Sequence, residues 1–141
     1  MLMTLSIRNQ LPGTVTAITS GEVMSTVGIR LTGGQNLTAA ITKEAVTDLG
    51  LAPGSAVRAL VKSTEVALAT GPVEGLSIRN QLPGTVTAVA TGAAMASVKV
   101  AFDGTEITAA ITKEAAADLA LAAGTTVVAL IKSTEVSLAT A

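Results

Sequence analysis

The chain has 141 residues, 49% of them hydrophobic and only 13% charged, with a net charge of −1. Cys, His, Trp and Tyr are absent and Phe102 is the one aromatic residue, which excludes disulfides, the usual zinc sites, thiol nucleophiles and histidine bases. The near-zero charge offers no global field for nucleic acid or anionic lipid, and no apolar run reaches the roughly 18 residues of a membrane span. Surplus apolar surface is therefore expected to be hidden in a tight oligomer.

Met1 to Ser6 lacks a basic stretch followed by a long apolar core, so no secretory signal is expected and a cytoplasmic location is the default. Thr14 to Thr19 alternates small polar with apolar residues, as a half-buried strand does. Gly21 then leads to a second strand over Met24 to Leu31. The Gly33-Gly34 turn follows, and a third strand over Leu37 to Ile41. Thr42 stands where a helix N-cap belongs, before a short helix from Lys43 to Leu49. Pro53-Gly54 restarts extended structure for Ser55 to Val61, and a last strand runs over Val66 to Ala69.

The same order then repeats. Leu5 to Ala17 recurs unchanged as Leu76 to Ala88, Thr38 to Ala45 as Thr108 to Ala115, and Lys62 to Val66 as Lys132 to Val136. Aligned over their length, the copies are identical at about 40 of 65 positions, the signature of an internal duplication. Expected domains are 1–70 and 76–141, joined by a linker at 71–75, Gly-Pro-Val-Glu-Gly. The expected fold is mainly β: two OB-like five-stranded small barrels, each with one short helix between its third and fourth strands.

Few groups can carry chemistry. Arg8/Arg79, Lys43/Lys113 and Lys62/Lys132 are the cations present in both copies, whereas Arg30, Arg58 and Lys99 align with Ala101, Val128 and Gly28. In Ser6-Ile7-Arg8-Asn9 and Ser77-Ile78-Arg79-Asn80, a hydroxyl and a guanidinium two residues apart share one side of an extended segment. That pairing suits an oxyanion; the plainer alternative is an edge strand entering an Asn-Gln-Leu-Pro-Gly turn. Lys62-Ser63-Thr64-Glu65 and Lys132-Ser133-Thr134-Glu135 place an ammonium and hydroxyls at a strand end, a donor-rich group or an ordinary charged turn. Thr42 and Thr112 are N-caps whose surroundings also favour negative charge. All of these are donors for a small tetrahedral anion. None forms an acid–base pair set for catalysis, so no enzyme is expected.

The Ser6-to-Leu11, Ala40-to-Glu44 and Ala59-to-Thr64 segments, in that order and twice over, resemble the molbindins, the Mop family of cytoplasmic molybdate- and tungstate-binding proteins. The likeness is closest to members with two Mop domains in tandem. It implies a trimer of two-domain chains with molybdate or tungstate as ligand, no organic cofactor and no directly coordinated metal cation. Carried over by motif, one site would use Ser6, the Ile7 amide, Arg8, Thr42, Lys62 and Ser63. Its counterpart would use Ser77, Ile78, Arg79, Thr112, Lys132 and Ser133. The Ser-Ile-Arg group would come from one subunit or domain, and the Thr and Lys-Ser groups from a neighbour. Storage, buffering or homeostasis of the anion is the implied role. The alternatives are a structural OB-like assembly module or a nucleic-acid-binding one. The second is opposed by a single aromatic and no net positive charge.

Overall fold

A computed structural model describes residues 4–141; Met1 to Met3, part of the segment read above for a signal, lie outside the described residues. The first repeat forms β1 (Asn9–Ser20), β2 (Met24–Leu31), β3 (Asn36–Thr42), α1 (Lys43–Asp48), β4 (Ala56–Val61) and β5 (Ala67–Ala69). The second forms β6 (Asn80–Thr91), β7 (Met95–Phe102), β8 (Thr105–Thr112), α2 (Lys113–Asp118), β9 (Thr126–Ile131) and β10 (Ser137–Thr140). A single 3-10 turn, Ser63–Glu65 and Ser133–Glu135, precedes each repeat's last strand. No helix among the described residues is long and apolar enough to cross a membrane.

Two five-stranded antiparallel sheets result, as the strand pattern leads one to expect, but each takes its fifth strand from the other repeat. Their orders are β10-β4-β1-β2-β3 and β5-β9-β6-β7-β8. Ser137 to Thr140 pairs with Leu60 to Val57, and Ala67 to Ala69 pairs with Leu130 to Val128. Each repeat therefore contributes four strands to its own sheet and the fifth to the other repeat's.

The first strand also differs from expectation. Asn9 to Gly13, a turn on the plainer alternative above, is the opening half of β1. It pairs with β4 through Asn9↔Val61 to Thr14↔Ala56, before the strand continues along β2. Gly13 is needed there for close approach, not for turning. A Cβ at Gly13 would lie 2.7 Å from Ile29 Cγ2 and 2.8 Å from the Arg30 carbonyl oxygen, and Gly84 is confined in the same way by Ala101 and Val100. A register shift between Val15 and Ala17 bends β1 so that one strand serves both halves of the curled sheet.

With almost no aromatic residues, the core is built from aliphatic side chains on the inner faces. Leu11, Val15, Val27, Ile29, Leu37 and Val57 are buried in the first repeat, and their counterparts, with Phe102 at the position of Leu31, in the second. All belong to one continuous cluster spanning both repeats. Each fully buried Val, Leu or Ile contributes about 1.5–3 kcal/mol, so strand exchange fuses two small cores into one.

The helices end alike but with different residues. Gly50 follows α1 with φ of 63°, and Ala120 occupies the equivalent place after α2 with φ of 52°. A Cβ is disfavoured in that left-handed region, which is why glycine predominates there. Ala120→Gly is expected to raise unfolding free energy by about 0.5–1 kcal/mol, and Gly50→Ala to lower it by a similar amount. Urea denaturation followed by circular dichroism checks both.

Candidate functional site

The antiparallel register of β1 and β4 puts Asn9 opposite Val61, so Arg8 and Lys62 are the next residues outward on adjacent chain segments. Asn80 opposite Ile131 does the same for Arg79 and Lys132. In the second repeat the result is a recess of about 240 Å³ lined by Ser77, Ile78, Arg79, Lys132, Ser133 and Thr134. The Lys-Ser group thus meets the Ser-Ile-Arg group of its own repeat. Within the chain, the pairing of β1 with β4 and of β6 with β9 sets these two motifs of one repeat side by side.

The Ser-Ile-Arg segment is not the extended edge strand expected. Residues 4–8 precede β1, with a bend at Ser6. Arg8 curls back along them, its Nε donating to the Ser6 carbonyl at 3.2 Å and Nη2 to the Leu5 carbonyl at 2.8 Å. Arg79 repeats this with the Ser77 and Leu76 carbonyls at 3.3 and 3.2 Å. A guanidinium has five N–H donors; these bonds fix its position and leave the Nη1 pair and one Nη2 hydrogen for an acceptor. Gln10 and Gln81 hold the segment from behind, donating to the Ile7 and Ile78 carbonyls at 3.2 and 3.0 Å.

Lys62 and Lys132 are exposed at the ends of β4 and β9. The hydroxyl oxygens of Ser63 and Ser133 are buried and have no hydrogen-bond partner. The same orphan arising in both repeats is notable, since a buried polar group without a partner costs about 1–3 kcal/mol and calls for an explanation. Arginine, lysine and serine here form a cluster of donors with no carboxylate among the recess residues.

Thr42 and Thr112 lie elsewhere in the chain. Each caps its helix, the Thr42 hydroxyl oxygen accepting from the Ala45 amide at 3.1 Å and Thr112 from Ala115 at 3.1 Å. Thr42 lines a separate recess with Glu22, Val23, Lys43, Glu44 and Asp48, and Thr112 another with Ala93, Ala94, Lys113 and Glu114. The single chain therefore gathers Ser77, Ile78, Arg79, Lys132 and Ser133 around one recess, and sets Arg8 next to Lys62 by register, but brings neither threonine to these groups. Arg30 and Arg58, present in the first repeat alone, stand around a different recess with Thr14 and Thr32.

Sequence reasoning missed the two residues that join the halves beside these sites. Asn9 is buried and donates from Nδ2 to the Thr108 carbonyl at 2.9 Å, while the Thr108 amide donates to Asn9 Oδ1 at 2.8 Å. Asn80 makes the reciprocal pair with Thr38, both at 2.8 Å. Thr38 and Thr108 lie on the edge strands β3 and β8, whose free edges each asparagine satisfies as a further strand would. The signal was the Asn following Arg in both copies, which reads equally well as a turn residue.

Among the described residues no three His, Cys, Asp or Glu side chains gather as metal ligands. Phe102 is buried, so no aromatic platform for a base is exposed among them.

Known proteins resemble this chain along nearly its whole length. The TOBE domain family model matches residues 5–68 and again 76–138. The molybdenum-pterin-binding protein MopA of Rhodobacter capsulatus is 41% identical over 141 residues, covering 99% of this chain and 53% of MopA. The molybdenum transport protein ModE of Azotobacter vinelandii is 40% identical, covering 99% and 52%. The chain thus spans about half the length of these two relatives. Molybdenum-pterin-binding protein 3 of Clostridium pasteurianum, 38% identical, covers 47% of this chain with 97% of its own length. The crystal structure of the cytoplasmic molybdate-binding protein ModG with molybdate bound superposes with a TM-score of 0.96 at 44% identity, covering 99% of this chain and 100% of ModG. The chain belongs to the TOBE domain family and carries that domain twice.

Proposed function

We propose that this protein binds molybdate, or the closely similar tungstate, at two motif sites per chain and so stores or buffers the anion in the cytoplasm. One site uses Ser6, the Ile7 amide, Arg8, Lys62 and Ser63, the other Ser77, Ile78, Arg79, Lys132 and Ser133. The observation that carries the reading is the recess lined by Ser77, Arg79, Lys132 and Ser133 with no carboxylate, where the Ser133 hydroxyl is buried without a partner. A desolvated dianion needs its charge balanced and its oxygens hydrogen-bonded, and one arginine, one lysine and serine hydroxyls supply both. The overall likeness to molybdate-bound ModG supports the same ligand class.

Thr42 and Thr112 complete the sites from a neighbouring copy in a homotrimer. Each helix cap uses the threonine oxygen as acceptor, so the hydroxyl proton remains to be donated to an anion oxygen. Exposed Val23, Met24 and Met95 beside those threonines supply apolar surface for such contacts.

Calorimetric titration of anion-stripped protein with molybdate, with sulfate as control, tests the reading. Tight binding of molybdate over sulfate at more than one anion per chain is the expected result. Absence of heat with molybdate, confirmed by equilibrium dialysis, would leave a β-sheet assembly module whose donors serve only the surface. Retention of single-stranded nucleic acid at low salt would instead favour the nucleic-acid module.

A further inference from the structure

The two motif sites have identical sequences, but Arg30, Arg58 and Lys99 each occur in one repeat only, and of these Lys99 is tied by hydrogen bonds to the residue next to a motif arginine. Lys99 on β7 pairs in register with Thr108 on β8, and its ammonium donates to Thr108 Oγ1 at 2.7 Å. Thr108 is the residue whose backbone amide and carbonyl are clamped by Asn9, the neighbour of Arg8. Two hydrogen bonds and one residue therefore separate the Lys99 ammonium from the Asn9 side chain, a span of ~10 Å at most. In the other half Asn80 clamps Thr38 in the same manner, but Thr38 pairs with Gly28, which has no side chain.

One carboxylate could offset this lysine. Glu106 shares the outer face of β8 with Thr108, two residues away. It reaches the Thr87 hydroxyl on β6 at 3.2 Å. In the order β9-β6-β7-β8, that contact carries Glu106 across β7, away from the free edge of β8 where Asn9 docks. Lys99 leans the opposite way, from β7 toward that edge. The ammonium thus lies on the side of β7 toward the edge where Asn9 docks, and the Glu106 carboxylate on the side toward β6.

We propose that Lys99, by its contact with the Asn9-clamped Thr108, makes the two anion sites of one chain unequal, so that the Ser6-Arg8-Lys62-Ser63 site holds a dianion more tightly than the Ser77-Arg79-Lys132-Ser133 site. This rests on the oxyanion-binding reading above. Lys99 touches no anion oxygen; it acts through the field, and a unit charge ~10 Å or more from a dianion changes affinity by up to about fivefold at low ionic strength and far less when salt screens it.

The test isolates each site before altering the lysine. Arg79→Ala leaves the first-repeat site to be titrated with molybdate, and Arg8→Ala leaves the second. Adding Lys99→Gln, which keeps a donor for Thr108, is expected to weaken binding about two- to fivefold at ~10 mM salt in the Arg79→Ala background. It should not alter binding in the Arg8→Ala background, and the effect should vanish near 1 M salt. Gly28→Lys in the Arg8→Ala background should strengthen the second site by a similar factor, since a Cβ there meets the rotatable Thr16 hydroxyl at 3.0 Å and the Ala17 backbone at an ordinary 3.8–3.9 Å. No change on Lys99→Gln in the Arg79→Ala background, or equal weakening in both, overturns the proposal. Failure of the unaltered protein to bind molybdate at all overturns the oxyanion reading instead.

Discussion

Replacing Asn9 and Asn80 together by alanine is expected to lower the unfolding free energy by about 4 kcal/mol, a large part of the ~5–15 kcal/mol typical of a native protein. Each asparagine is buried and closes both an N–H and a C=O on the other repeat's edge strand. Alanine would remove the partners while leaving those backbone groups half-shielded from water, which costs more than the net value of an ordinary hydrogen bond. Aspartate should not rescue the loss, because it keeps an acceptor for the Thr108 amide but sets a carboxylate against the Thr108 carbonyl. Urea unfolding followed by circular dichroism is the measurement, since no Trp or Tyr reports by fluorescence. A loss below ~1 kcal/mol would mean that water replaces the asparagines without penalty.

Those clamps mark the boundary of what the sequence could reveal. Met24–Leu31 and the Thr42 cap are found where alternation and capping rules place them. Local patterns of apolar and polar residues are set by which face is buried, and that is written residue by residue. Leu11-Pro12-Gly13 misled for an equally physical reason. Proline and glycine punctuate turns, but here Pro12 lies opposite Arg58 in the strand and offers its carbonyl to the Thr32 amide at 3.1 Å. Gly13 meanwhile makes room for Ile29. The crowding that demands glycine comes from a strand distant in sequence, so no local rule contains it.

The exchange of fifth strands was illegible for a different reason. Leu68-Ala69 and Leu138-Ala139 are the same dipeptide in the same pattern, so either strand fits either sheet. Only the path of the chain through 70–79 and the cross-repeat contacts decide between them. The candidate sites were legible as motifs because donors of one kind recur at fixed spacing. Their assembly was not, because bringing Arg8 beside Lys62 depends on the β1–β4 register rather than on either motif.

The largest effect on binding is expected from Lys62→Ala combined with Lys132→Ala, which should weaken molybdate affinity about 100-fold or more. A charge-assisted hydrogen bond is worth about 1.5–3 kcal/mol, and each 1.4 kcal/mol is a factor of ten in affinity. The loss falls at the upper end because a dianion would be left with one cationic side chain in each motif. The fold should be untouched. Both lysines are exposed at strand ends, and surface substitutions of that kind usually change stability by under ~0.5 kcal/mol. Arg30→Ala, removing a cation from the separate first-repeat recess, serves as the control and should leave affinity within about twofold at physiological salt. Calorimetry on the three proteins, with the circular dichroism spectrum and sedimentation of each compared, separates lost binding from lost structure. Unchanged affinity in the double lysine variant would show that the arginine and hydroxyl donors suffice. The strand-end ammonium groups would then be no more than a solvated rim, and the pairing of Arg8 with Lys62 across β1 and β4 would lose its functional meaning.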